Sequence, residues 1–205
     1  GMPNVLCTPH LGASTEEAQT QVAIEAVELL INYFTKGEVR HAVNMAAIDP
    51  KTLEAVRGYL DLAYRLGLLM AQWHSSGATA CHLTYRGDIT QKNTKLITAA
   101  FCAGLLEKAL AQDVNIVNAQ LLLQERGIKL TEESQAQPGA FSSSIAVEVI
   151  GASGEKMNAS GTLFGADMPR LIRLGEFRLE AYLDGNLFVF THNDRPGIIG
   201  AVGTI

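Results

Sequence analysis

Helical spacing of apolar residues dominates the first two-thirds of this chain and strand-like alternation the last third, and that separation constrains its fold most. Ser14-Thr15-Glu16-Glu17 opens a helix, because a hydroxyl caps free amides and acids suit the positive dipole end. Ala18, Val22, Ala26, Leu29, Leu30 and Phe34 then recur at helical spacing, and Lys36-Gly37 closes the run. The stretch 38–48 has no clear period and reads as a linker, with a short extended piece around Ala42-Val43-Asn44. Asp49-Pro50 joins a cap to a proline at the first helical position. Over 52–73 the polar residues Glu54, Arg57, Asp61, Arg65 and Gln72 form one stripe, which predicts a helix buried on most of its surface. Ser75-Ser76-Gly77 ends it.

The segment 79–86 alternates and is β-rich, whereas 93–110 and 114–126 read as helices, the second stopped by Gly127. Strand character starts again at 128–132. Two alternating runs, 144–150 and 157–164, flank Gly151-Ala152-Ser153-Gly154 as a hairpin. Short strands follow at 170–173, 177–182 and 187–192, with Asp184-Gly185-Asn186 as the turn before the last. Elements segregated in this order pack as α+β, with helices on one face of a mostly antiparallel sheet and an extra N-terminal helix ahead of them.

Composition narrows the function. The 205 residues are 47% hydrophobic and 18% charged, enough for one sizeable core and unlike a disordered chain. A net charge of -5 without a basic stripe argues against a nucleic-acid partner. No apolar run is long enough to span a bilayer and no signal peptide is visible, so the expected location is cytoplasmic. Three cysteines, Cys7, Cys81 and Cys102, give no disulfide framework. Cys7 and His10 have C-x-x-H spacing, but no second ligand pair accompanies them, so no metal site is expected.

Three groups of residues carry candidate chemistry. His10 stands on a turn framed by Pro9 and Gly12, where an imidazole titrating near neutrality could move a proton; a plain surface histidine is the alternative. His192, Asn193 and Asp194 precede Pro196-Gly197, where an aspartate suits an ammonium and opening helix amides suit a carboxylate. The alternative there is a strand-to-helix turn capped by Asp194. Arg170, Arg173 and Arg178 lie on neighbouring strands and could grip a carboxylate or phosphate, with Lys92 and Lys95 as further cations. Strand alternation places Arg170 and Arg173 on opposite faces, and solvated surface arginines are the alternative. His41, His74 and His82 show no partner pattern, while Asn115 reads as a cap and Asn118 as a buried, backbone-bonded amide.

The run from Asn4 through Thr8-Pro9-His10-Leu11-Gly12-Ala13-Ser14 to Ala18 closely resembles the end of the nucleotide-binding domain of D-3-phosphoglycerate dehydrogenases. Asn115-Ile116-Val117-Asn118-Ala119 and Glu125-Arg126-Gly127-Ile128 resemble the intervening domain of the long form. Asp194-Arg195-Pro196-Gly197-Ile198-Ile199-Gly200 resembles the opening of an ACT domain. The resemblance covers the whole chain and implies three parts: the tail of the nucleotide region at 1–40, an intervening domain at 41–185, and the first ACT elements at 186–205.

The resemblance also implies roles. His10 would be the general acid/base of an NAD-dependent dehydrogenase of serine biosynthesis. The family's catalytic arginine and glutamate lie upstream of that motif, and no G-x-G-x-x-G follows a strand here to seat NAD. The chain is thus expected to be a piece of a longer enzyme, to bind no cofactor itself and to be inactive alone; NADH formation with phosphoglycerate or hydroxyglutarate would contradict this. His192, Asn193 and Asp194 would belong to an incomplete L-serine sensor, and the middle domain would bind an anionic effector. Its partners would be the remainder of the enzyme and further copies in a homo-oligomer, with the N-terminal helix packed on a neighbour. A ligand-free spacer and oligomerisation module is the second reading.

Overall fold

A computed structural model describes residues 3–5, 11–36, 40–41, 50–73, 77–110, 113–193 and 195–204. The chain divides into two compact units, Gly1–Glu54 and Ala55–Ile205. In the first unit a 3-10 turn, Leu11–Ala13, precedes helix α1, Glu16–Lys36. Thr15 caps α1, its Oγ1 accepting from the Ala18 amide at 3.2 Å, with Glu16 and Glu17 in the first turn as the sequence predicts. No residue of α1 is buried: Val22, Val27, Leu30 and Ile31 are exposed, and Phe34 is 80% exposed.

The second unit takes in most of helix α2, Pro50–Trp73, followed by β1, Ala78–Gly87, helix α3, Thr94–Leu106, and helix α4, Ala119–Glu125. Five strands then follow: β2, Lys129–Gln135; β3, Ser143–Gly151; β4, Lys156–Phe164; β5, Met168–Leu174; and β6, Phe177–Tyr182. They form one sheet in the order β2-β1-β3-β4-β5-β6, in which only the β1–β2 pair is parallel. The α3–α4 connection supplies the crossover that a parallel pair requires. A short helix α5, Ile198–Val202, follows the irregular stretch after β6.

One face of the sheet carries the core. Cys81, Leu83 and Tyr85 of β1, Ile145, Val147 and Val149 of β3, and Leu171 and Leu174 of β5 are all buried against the helices. Leu62, Leu66 and Met70 of α2 recur every four residues and meet them. Every residue of α3 from Leu96 to Leu106 is buried, which explains why this helix shows almost no polar face. Two glycines let α2 and α3 touch backbone to backbone: a Cβ on Gly67 would strike the Phe101 carbonyl, and one on Gly104 the Tyr64 carbonyl. Gly161 on β4 serves a similar purpose, since a Cβ there would lie 2.6 Å from Leu62 Cδ1. Buried hydroxyls are paired: Tyr85 Oη and Thr98 Oγ1 are 2.6 Å apart, and Thr162 Oγ1 donates to the Ser143 carbonyl at 2.6 Å.

Several sequence expectations shift. Residues 187–192, expected as a strand, form no ladder among the described residues. Residues 114–118 are not helical, because Asn115 Oδ1 accepts from the amides of Val117 and Asn118 and holds them in a turn, so α4 starts at Ala119. Asn118 is half-buried and bonds both the Asn115 amide and the Asp113 carbonyl. The expected extended piece at 42–44 and the Asp49 cap lie outside the described residues.

Candidate functional site

Among the described residues of the second unit, the helices pack on the core face, and the opposite face of the sheet is polar. Its shape depends on a β-bulge in β5. Arg173 pairs with Ser160 and Leu171 with Gly161, so Ile172 is left without a partner on β4, and it is likewise skipped in the pairing with β6. The extra residue resets the alternation. Leu171 and Leu174, three positions apart, both enter the core, and Arg170 and Arg173 both face the open side. The expectation that they point to opposite sides is thereby overturned. Arg178 lies directly opposite Arg173, so all three arginines share one face.

They do not share one environment. Arg170 is only 5% exposed, with its guanidinium over the rings of Tyr182 at 3.5 Å and Phe164 at 5.2 Å. It also donates to Glu180 and to the Pro169 carbonyl, both at 3.3 Å. That is a structural arginine with little left to offer a ligand. Arg173 is exposed and spends one donor, Nε, on the Gly175 carbonyl at 2.9 Å. Arg178 is exposed beside it.

Arg173 forms one wall of a hollow of about 280 Å³ that also includes His82, Thr84, Glu148, Asn158 and Ser160. These residues alternate with core residues on β1, β3 and β4, which is why they converge. His82 is not without partners: Nδ1 lies 2.8 Å from Thr131 Oγ1, and Nε2 lies 3.4 Å from Thr84 Oγ1 and 3.6 Å from Glu133. The parallel neighbour β2 supplies Thr131 and Glu133, and nothing in the local sequence announces that pairing. Glu148 is engaged by Lys156 at 3.3 Å. The hollow thus offers a guanidinium, hydroxyls and an imidazole, with its nearest acids partly neutralised. Lys92 and Lys95 do not line it.

The other sequence candidates are not gathered here. His10 and Asp194 lie outside the described residues. His192 and Asn193 are exposed; the His192 ring packs on Phe190 with centroids 5.8 Å apart, and its Nδ1 donates to the Asn193 carbonyl at 2.9 Å. Cys81 and Cys102 are buried free thiols, and burial pushes both up to about 12, so neither is poised as a nucleophile. Among the described residues no group of three or more His, Cys, Asp or Glu side chains could hold a metal ion, and no helix is long and apolar enough to cross a membrane.

A sheet covered by helices on one side, with a polar arginine-bearing face on the other, defines an α+β domain. Residues 55–175 match the model of the D-3-phosphoglycerate dehydrogenase intervening domain, and the chain belongs to that family. Across 203 residues it is 35% identical to the D-3-phosphoglycerate dehydrogenase of Synechocystis, an alignment covering 98% of this chain and 36% of that protein. It is 32% identical to the D-3-phosphoglycerate dehydrogenase of Archaeoglobus fulgidus over 204 residues, covering 100% of this chain and 38% of that protein. It is 34% identical over 221 residues to the chloroplastic D-3-phosphoglycerate dehydrogenase 2 of Arabidopsis thaliana, covering 98% of this chain and 35% of that protein. The chain therefore spans well under half the length of these relatives.

Proposed function

We propose that this chain is a regulatory and architectural segment of an NAD-dependent D-3-phosphoglycerate dehydrogenase of serine biosynthesis, and that the open face of its sheet binds an anionic effector. The observation carrying this reading is the direct pairing of Arg173 with Arg178 at the edge of the hollow. Like charges directly opposite across two strands repel. A carboxylate or phosphate between them removes that cost, and guanidinium forks are suited to it. Ser160 supplies a hydroxyl donor on the same wall. In the whole enzyme His10 would act as general acid/base, and His192, Asn193 and Asp194 would contribute to L-serine sensing in a homo-oligomer.

Low-salt calorimetric titrations with 3-phosphoglycerate, inorganic phosphate and L-serine test the proposal. Saturable binding of the phosphorylated acid, weakened tenfold or more by Arg173→Ala and by Arg178→Ala, is the expected result. Heats that vanish for every ligand, or that neither substitution alters, would leave the domain as a ligand-free spacer and oligomerisation module. That second reading draws on Arg170, whose charge is already consumed by Glu180 and two rings.

A further inference from the structure

A second cavity, of about 430 Å³, lies where the C-terminal end of α2 meets the ends of β4, β5 and β6 and the segment 189–192. Neither Arg173 nor Arg178 lines it, although Asn158 borders both cavities, and its chemistry is different. Trp73, Phe177 and Phe190 give it aromatic walls, and Met157 and Leu174 close it toward the core. Such a space is of the size that takes a small organic molecule, and aromatic walls favour a flat one.

The polar groups around it are few. Lys156 brings an ammonium, held by Glu148 at 3.3 Å in a bridge whose lysine side is 61% exposed. An exposed bridge of this kind is worth little, so the ammonium can turn to a bound anion at small cost. His192 commits Nδ1–H to the Asn193 carbonyl, which leaves Nε2 of the neutral ring as an acceptor. Asn158 borders both this cavity and the arginine hollow, and strand alternation places its side chain on the open face with Glu148 and Ser160. One cation and one acceptor beside aromatic walls specify a ligand: flat, singly negative and bearing an N–H or O–H. We propose that this cavity is a binding site for an aromatic carboxylate that carries such a donor.

Trp73 is the chain's single tryptophan and lines the cavity, so the site contains its own reporter. Anilinonaphthalene sulfonate, an aromatic monoanion with one N–H, serves as the probe against the full chain. The expected result is saturable quenching of Trp73 with sensitised dye emission, reversed by an indole carboxylate but not by uncharged indole. Lys156→Gln, at an exposed position that leaves the fold intact, is expected to weaken dye affinity at least fivefold. Met157→Phe, which fills the cavity, is expected to abolish the energy transfer. Dye that binds without quenching Trp73, binds Lys156→Gln as tightly as the unaltered chain, or does not bind at all would overturn the proposal.

Discussion

Arg65, midway along α2, donates from Nη1 to both the Leu183 carbonyl at 3.0 Å and the Asp184 carboxylate at 2.8 Å. Its Nε is held by Asp61 one helical turn earlier, at 2.8 Å. The helix that opens the domain therefore also fixes the turn that leaves its last strand. Arg65→Ala should destabilise the chain by about 1–2 kcal/mol, mainly through the lost bonds to the carbonyl and carboxylates.

The same pair makes a pH prediction. Hydrogen bonding to Arg65, then to the Gly185 amide, holds the Asp184 carboxyl below its usual range. A carboxylate depressed by folding contributes stability above its unfolded value, near ~4, and loses it as pH falls through the folded value. The gap in thermal midpoint between the unaltered chain and Asp184→Asn should therefore close on acidification. A gap that stays constant from neutral pH to strong acid would show that the carboxylate charge is irrelevant.

Gly104→Ala should be among the most damaging single changes, costing about 3 kcal/mol, because the added methyl meets backbone that has no room to move. Gly154→Ala is the control. Open space surrounds that position, and only its φ of 84° is unfavourable, which costs about 1 kcal/mol. Urea denaturation of both variants would rank them, and equal midpoints would refute the close helix crossing.

Arg170 and Arg173 should separate stability from binding. Arg170→Ala strips a buried cation from two rings and a carboxylate, and should cost about 2–3 kcal/mol. Arg173→Ala should change stability by no more than ~0.5 kcal/mol while lowering anion affinity. If the two variants melted alike, the assignment of a structural role to one and a ligand role to the other would be wrong.

Tyr64 provides an alkaline counterpart. Its phenol donates to Glu107, and that hydrogen bond, with burial and the nearby charge, pushes it up to about 12. For a phenol raised by folding, the stabilisation is complete below its unfolded value of ~10 and is lost as pH climbs through the folded one. Ultraviolet titration of phenolate should show Glu107→Gln moving one tyrosine of the chain's five back toward ~10. An unchanged titration curve would contradict the contact.

Much of this architecture is written in local pattern. The N-cap at Thr15, the run of α2, the β3–β4 hairpin and β6 follow from capping chemistry and periodicity, which depend on neighbours in sequence. The candidate site is less legible because it is assembled by register. One unpaired residue, Ile172, decides that Arg170 and Arg173 face the same way, and alternation alone gives the opposite answer. His82 meets Glu133 only through parallel pairing with a strand that follows two helices. The apolar character of residues 187–192 predicts a strand, but a strand needs a partner, and none pairs with it among the described residues.

The strand order has a consequence for biosynthesis. β1 ends in the interior of the sheet, yet its antiparallel neighbour β3 is encoded after α3, α4 and β2. While the ribosome extends the chain from N- to C-terminus, β1 emerges well before β3 and cannot be paired on that side. Until then it exposes an unsatisfied row of amides and carbonyls flanked by Cys81, Leu83 and Tyr85, a template for illicit pairing between nascent chains. The β3–β6 meander can zip by adjacent turns, whereas placing β1 and β2 must wait for long loops to close.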